Sequence, residues 1–200
     1  MQSMEEIRTK LDGIFPKYVF TDNFDIVSAS LYDCLTVPMG QRIYSYWSEW
    51  FQAPLGQMDH RTGQINTKTN ISMPGMLPQP KIFVVEQFML TFPHTIDPRD
   101  VSTLLYNYKF RFYIGQKWFV DEALGALPIQ KIMCSCPACG YESDESNSDA
   151  FRLTIDLKIP LVLENQIYFV GRLETDTPKA VINNTEIWLR ANGYEARAIQ

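Results

Sequence analysis

Tyr106-Asn107-Tyr108-Lys109-Phe110-Arg111-Phe112-Tyr113-Ile114 sets a large apolar side chain at every second position, with Asn107, Lys109, Arg111 and Tyr113 between them. Successive side chains of a strand point to opposite faces, so this rhythm predicts a β-strand with one buried face. The same period returns at Phe151, Leu153, Ile155 and Leu157, separated by Arg152, Thr154 and Asp156. It returns less strictly at Ile82, Val84, Phe88, Leu90 and Phe92. One-sided strands pair in antiparallel sheets, and two such sheets bury their apolar faces against each other. The chain reads as all-β, an antiparallel sandwich.

Working outward, further short strands are expected at 18–21, 25–30, 42–47, 117–120, 129–133, 167–173, 180–181, 186–190 and 194–199. Pro93 ends the strand over 81–92, because proline cannot donate to a central ladder. Asp97 can cap a helical turn over 99–105 with Pro98 at its first position. Ala123 to Leu127 reads as a short turn or helix, and Pro160 follows the strand over 151–157. Between Phe51 and Pro80 periodicity lapses into Gln, Thr, Asn, Pro and Gly, a long excursion of the kind that carries partner contacts. Glu142 to Asp149 is an acidic loop without an apolar side chain. Eight to ten strands result, the number a jelly roll needs.

At the N-terminus, Ser3 and Glu6 have capping-box spacing, and Met4, Ile7, Leu11 and Ile14 follow at helical steps. A short amphipathic helix over 4–12 is expected, in an arm of residues 1–16 ahead of a single domain, 17–200. Ile7 and Leu11 are its candidate contacts to a protein partner, since Glu5, Glu6, Arg8, Lys10 and Asp12 lack the basic face of a helix lying on lipid. Tyr44, Tyr46, Trp47 and Trp50 cluster just before the excursion and are the other candidate interface anchors.

Two hundred residues, 46% apolar, suffice for one sizeable core. A formal charge of -5 removes the main driving force for direct nucleic-acid binding. The first residues lack a charged-then-apolar leader and no apolar run reaches membrane-span length, so a soluble chain made inside the cell is expected.

The sharpest local chemistry is Cys134-Ser135-Cys136-Pro137-Ala138-Cys139-Gly140, half of a zinc knuckle. Cys134, Cys136 and Cys139 are the candidate metal ligands, with the fourth from His60, His94 or Cys34. A structural zinc there would staple a loop; reduced thiols or a disulfide are the alternatives, and no cofactor is required. Neither histidine has a second at metal-ligand spacing, and no Gly-x-Ser-x-Gly elbow occurs. Glu86 and Asp156 lie on strands, as an acid pair of a glycosidase would, but such carboxylates are more often rim or interface charges. No catalytic residue is assigned, and no enzyme is expected.

Several stretches together carry a family resemblance: Gly75-Met-Leu-Pro-Gln-Pro80, the strand Lys81 to Phe92, Asp100-Val-Ser-Thr-Leu-Leu105 and Phe112-Tyr-Ile-Gly-Gln-Lys-Trp118. Ile159 to Val170 and Ile187 to Arg197 add to it. Over about residues 40–200 the chain resembles the single jelly-roll capsid proteins of tailless, icosahedral, membrane-containing bacteriophages. The resemblance implies a virion protein, made in the host cytoplasm, whose barrels assemble with copies of themselves and other capsid proteins through loops and the N-terminal arm. It also implies an internal viral membrane beneath the shell. The alternative class is a β-sandwich module binding carbohydrate or a receptor, as in a phage spike or tail component.

Overall fold

The computed structural model describes residues 5, 6, 9, 24–43, 48–93, 96–127, 129–131 and 149–198. Within these the chain runs β1 (Phe24–Val37), β2 (Glu49–Trp50), β3 (Met58–Asp59), β4 (Gln64–Ile65), β5 (Ile82–Pro93), α1 (Pro98–Asn107), β6 (Lys109–Ile114) and β7 (Lys117–Ala123). A 3-10 turn (Leu124–Ala126), β8 (Ile129–Lys131), β9 (Asp149–Leu163), β10 (Phe169–Glu174) and β11 (Thr185–Ala198) follow. Two sheets form, β1-β11-β5-β9-β8 and β2-β10-β6-β7, with β3-β4 a separate hairpin.

Setting aside the β3-β4 hairpin and β8, eight strands remain, and their pairing is nested. The first pairs with the eighth, β1 with β11. The second pairs with the seventh, β2 with β10. The third pairs with the sixth, β5 with β9, and the fourth with the fifth, β6 with β7. One long hairpin has been rolled so that β11 also meets β5 and β10 also meets β6. This is the jelly roll; the expected all-β class is the observed one.

The main core lies between the sheets, and a small second cluster, Ile26, Val84 and Ala196, is buried on the other face of the five-stranded sheet. Leu35 and Val37 of β1, Phe83, Phe88, Leu90 and Phe92 of β5, Phe110 and Phe112 of β6, Phe169 of β10, and Ile187 and Leu189 of β11 are all fully buried. Phe88 meets Phe112 with ring centroids 4.5 Å apart and Phe110 at 5.4 Å, so the aromatic content chiefly fills the sandwich. A fully buried Phe contributes about 1.5–3 kcal/mol, which makes this layer the main source of stability.

Several expected boundaries move, each for a physical reason. Tyr106 and Asn107 belong to α1, not to the strand: Asp97 caps the helix, and Asn107 Nδ2 donates to Thr103 O at 2.8 Å. Tyr106 is accordingly 87% exposed, whereas Tyr108 begins the buried alternation. Pro160 does not end β9, because β5 pairs with Asp156 and then with Leu161; the intervening residues bulge away, where a missing donor costs nothing. Gly193 does not divide two strands but is paired within one, opposite the bulge that Glu86 makes in β5. A Cβ there would lie 1.8 Å from Val84 O, so glycine permits the approach of β5.

Glu5, Glu6 and Thr9 are helical, and Thr9 Oγ1 donates to Glu5 O at 2.8 Å. The rest of that expected helix, Ile7 and Leu11 included, lies outside the described residues, as do the expected strand at 18–21 and the acidic stretch 142–148.

Candidate functional site

The aperiodic excursion after β2 is built, not loose. It begins at Phe51, whose backbone is left-handed at φ 71, an uncommon state for a bulky residue. Phe51 is fully buried, and its N–H donates to Asp33 Oδ2 at 2.6 Å. Asp33 points inward from β1. Burial pushes its carboxyl up to about 6, against the opposing pull of the Arg61 guanidinium and the Phe51 amide. Arg61 is itself buried; its Nε donates to both oxygens of Asp59 at 2.9 and 3.0 Å, and its guanidinium also donates to Glu49 O at 2.6 Å. The base of the excursion is thus nailed to β1 and β2 by charge-assisted bonds, the stronger class of hydrogen bond.

Farther on, the segment runs beside the outer edge of β1. Thr69 Oγ1 donates to Tyr32 O at 3.0 Å, Asn70 Nδ2 to Ser30 O at 2.7 Å, and Tyr32 N–H to Asn70 Oδ1 at 2.8 Å. These side chains satisfy backbone groups that an open sheet edge would leave ready for another strand. The return is fixed at Gly75, whose N–H donates to Phe51 O at 2.6 Å while its carbonyl accepts from Phe169 N at 2.7 Å. At the tip, Met58 and Ile65 are direct cross-strand partners in the β3-β4 hairpin, 61% and 63% exposed, with Leu55 exposed nearby in sequence.

At the end of the sheet where β1 stops and β11 starts, α1 organises the connections. Asp97 caps α1 through Arg99 N–H at 2.8 Å. Asp100 is buried and accepts from Ile182 N–H at 2.9 Å and Asn183 N–H at 3.2 Å, which holds the connection leading into β11. Met39 N–H donates to Asn184 Oδ1 at 2.9 Å, and the side chains of Met39 and Ile182 remain exposed.

A third surface is β7, at the edge of the four-stranded sheet. Phe112 pairs with Val120 but Tyr113 with Trp118, so Phe119 is the extra residue of a bulge. Trp118 and Phe119 are 57% and 50% exposed. Behind them Arg111 lies between Asp121 and Glu174, and these carboxylates hold its guanidinium charged while Arg111 draws Asp121 below the usual carboxylate range.

Of the residues singled out by sequence, Trp50 is corrected: it is fully buried, and its Nε1 donates to Ile187 O at 3.0 Å across the sandwich. A large ring with a satisfied polar tip is a core residue here, not an exposed anchor. Tyr44, Tyr46 and Trp47 lie outside the described residues, as do Cys134, Cys136, Cys139 and His94. Cys34 is buried in β1, and burial pushes its thiol up to about 12. His60 is exposed. Among the described residues no group of three His, Cys, Asp or Glu side chains comes together. Glu86 and Asp156 both line one polar cavity of about 310 Å³ on the outer face of the five-stranded sheet. The exposed apolar residues of the hairpin, of β7 and of the β9 bulge were missed by sequence, since a Met or Ile in an aperiodic stretch carries no sign of exposure.

No family model matches the chain, and no curated protein matches it. Among solved structures it is similar to the cryo-EM structure of the virus-like particle of extra small virus from the giant freshwater prawn Macrobrachium rosenbergii. That likeness has a TM-score of 0.32 and 8% identity, and covers 90% of this chain and 83% of the other. The fold assignment rests on the nested strand pairing itself.

Proposed function

We propose that this chain is a non-enzymatic shell subunit, a capsid-type jelly roll that assembles with copies of itself. The observation that carries the reading is the placement of exposed apolar side chains. They do not converge on one cleft but stand on separate, well-braced projections of the jelly roll. Met58 and Ile65 cap the hairpin, Trp118 and Phe119 line the β7 edge, Ile159 rides the β9 bulge, and Met39 and Ile182 stand on the connections after β1 and before β11. A subunit of a closed shell must touch several neighbours through different patches, whereas a one-partner protein needs only one. Burying Met58 or Ile65 fully would stabilise a contact by about 1.5–3 kcal/mol each, enough when many weak contacts close a shell together.

The finer form of this proposal is a capsid protein of a tailless, membrane-containing bacteriophage, residing in the virion, with residues 1–16 as an arm reaching a neighbouring subunit. The jelly-roll order and the patterned motifs support it. Among the described residues no helix is long and apolar enough to cross a membrane. In this reading an internal viral membrane would lie beneath the shell as a neighbour. The test is electron microscopy with light scattering on the purified chain, beside the double variant Met58→Asp with Ile65→Asp. Rings, sheets or particles are expected from the wild type. The variant should stay small and keep its fold: both positions face solvent, and like charges directly opposed in the hairpin cost about 0.2–1 kcal/mol, a fall of no more than about 4 °C in melting temperature. A wild type that remains monomeric at about 100 μM, some hundredfold above the micromolar range of ordinary association, would sink the reading.

A further inference from the structure

The outer face of the five-stranded sheet carries a row of polar side chains that joins four strands. Ser30 of β1 donates to Asn192 Oδ1 of β11 at 2.8 Å; Asn192 Nδ2 donates to Gln87 Oε1 of β5 at 3.0 Å; Gln87 Nε2 donates to Asp156 Oδ1 of β9 at 2.7 Å. Each amide has two N–H donors and two acceptor lone pairs, and this row engages one donor and one acceptor of each. Among the described residues no partner takes the second donor and acceptor of either amide, which leaves them to a ligand. The row fixes the orientation of both amides before any ligand arrives.

Directly alongside, two strand positions away on the same face, stand Tyr32 of β1 and Arg190 of β11, with Trp188 beyond them. Tyr32 and Trp188 pack with centroids 6.3 Å apart at 44°. With Ser30 and Arg190 they line a concavity of about 420 Å³. On the other side of the row, Glu86, Asp156 and Tyr194 line the 310 Å³ cavity beside the bulges in β5 and β9. The two hollows share one face, and the amide row forms the floor between them.

We propose that this face binds a saccharide chain. Aromatic rings take the apolar faces of sugar rings, while oriented amides, a hydroxyl and a carboxylate exchange hydrogen bonds with sugar hydroxyls. The composition disfavours the other polymers. Two carboxylates in the second hollow, on a chain of net charge -5, repel a phosphate backbone. Capture of an extended peptide by strand addition would use a sheet edge, and these hollows lie on a sheet face. The inference stands independently of shell assembly, because it uses none of the projections assigned to neighbours.

The test is isothermal calorimetry and tryptophan emission of the full chain titrated with chitohexaose, cellohexaose, maltohexaose and mannohexaose, each to about 10 mM, the weak end of specific recognition. At least one should bind saturably and alter the emission. Trp188→Ala should weaken that binding about tenfold, and Asn192→Ala about fivefold, as losses of a stacked ring and a hydrogen-bonding amide do. Trp118→Ala, on the other sheet, should leave it unchanged. Asn192 is only partly buried, so its variant keeps the test decisive if Trp188→Ala folds poorly. Absence of saturable binding by all four sugars, or binding indifferent to both Trp188→Ala and Asn192→Ala, overturns the proposal. Light scattering on the same samples reports assembly separately.

Discussion

Asp33 should make the protein more stable as the solution is acidified from pH 7 toward pH 4, opposite to the usual behaviour of a carboxylate in an ion pair. Burial raises its folded pKa from 3.8 to about 6, so between those values the folded chain holds a proton that the unfolded chain has released. Stability falls as pH rises through that window and is flat above it. A shift of roughly two units at about 1.4 kcal/mol each sets an upper bound of about 3 kcal/mol. The geometry accommodates the neutral form: Oδ2 keeps the Phe51 N–H, and the proton can reside on Oδ1, which lacks a well-formed hydrogen bond. Asp33→Asn removes the titration while retaining an acceptor for Phe51. Urea unfolding of both proteins at pH 4, 5, 6 and 7 isolates the effect, because every other titrating group is common to the two. The wild type should gain about 2–3 kcal/mol on the variant between pH 7 and pH 4. Parallel profiles, or a wild type that loses ground on acidification, would refute the argument that burial outweighs Arg61 at this site.

Asp100→Ala strips the acceptor from Ile182 N–H and Asn183 N–H; a loss of about 3 kcal/mol is expected, seen as a fall of about 6–12 °C in melting temperature. Gly193→Ala would force a Cβ to within 1.8 Å of Val84 O and should cost about 3 kcal/mol or more, or give insoluble protein. Gly56→Ala, where a Cβ meets nothing but φ is +77, should cost about 1–2 kcal/mol, and chemical denaturation of the pair separates collision from backbone strain. Elemental analysis should find substoichiometric zinc, with chelation leaving both melting temperature and assembly intact. A stoichiometric ion whose removal lowers the melting temperature would instead assign Cys134, Cys136 and Cys139 a structural zinc.

The strands were legible wherever one face is dry and the other wet, because alternation is then written directly into the side chains: Phe110 and Phe112 were read correctly on that ground. The same rule misplaced Tyr106, where an accidental match of period two ran back into a helix whose cap, Asp97, lies nine residues upstream. Asp97, Pro98 and the helix itself were legible because capping is local. The β-bulges were not, since Gly193 and Pro160 take their meaning from β5, more than seventy residues away in sequence. Trp50 shows the complementary failure: a tryptophan beside a long loop reads as an anchor until Ile187 is seen to accept its Nε1–H. The amide row was invisible for the same reason. Ser30, Gln87, Asp156 and Asn192 are ordinary outward-facing residues of four strands until the register lines them up.

The sheet edges show how such a fold can favour side-chain contact over strand exchange. The outer edge of β1 is covered by Thr69 and Asn70, whose side chains occupy backbone groups another strand would need. Along β9, Lys158 and Pro160 stand on the bulge opposite β5, a charge and a missing donor that both discourage a further strand. β7 lies open and carries Trp118 and Phe119, but the bulge at Phe119 interrupts the even spacing a docking strand would require. What β7 offers a neighbour is therefore two aromatic side chains rather than a ladder. A contact of that kind can form and break without unfolding either subunit, and it cannot propagate as an endless sheet. Both properties suit the shell proposed above, which would have to close at a finite size.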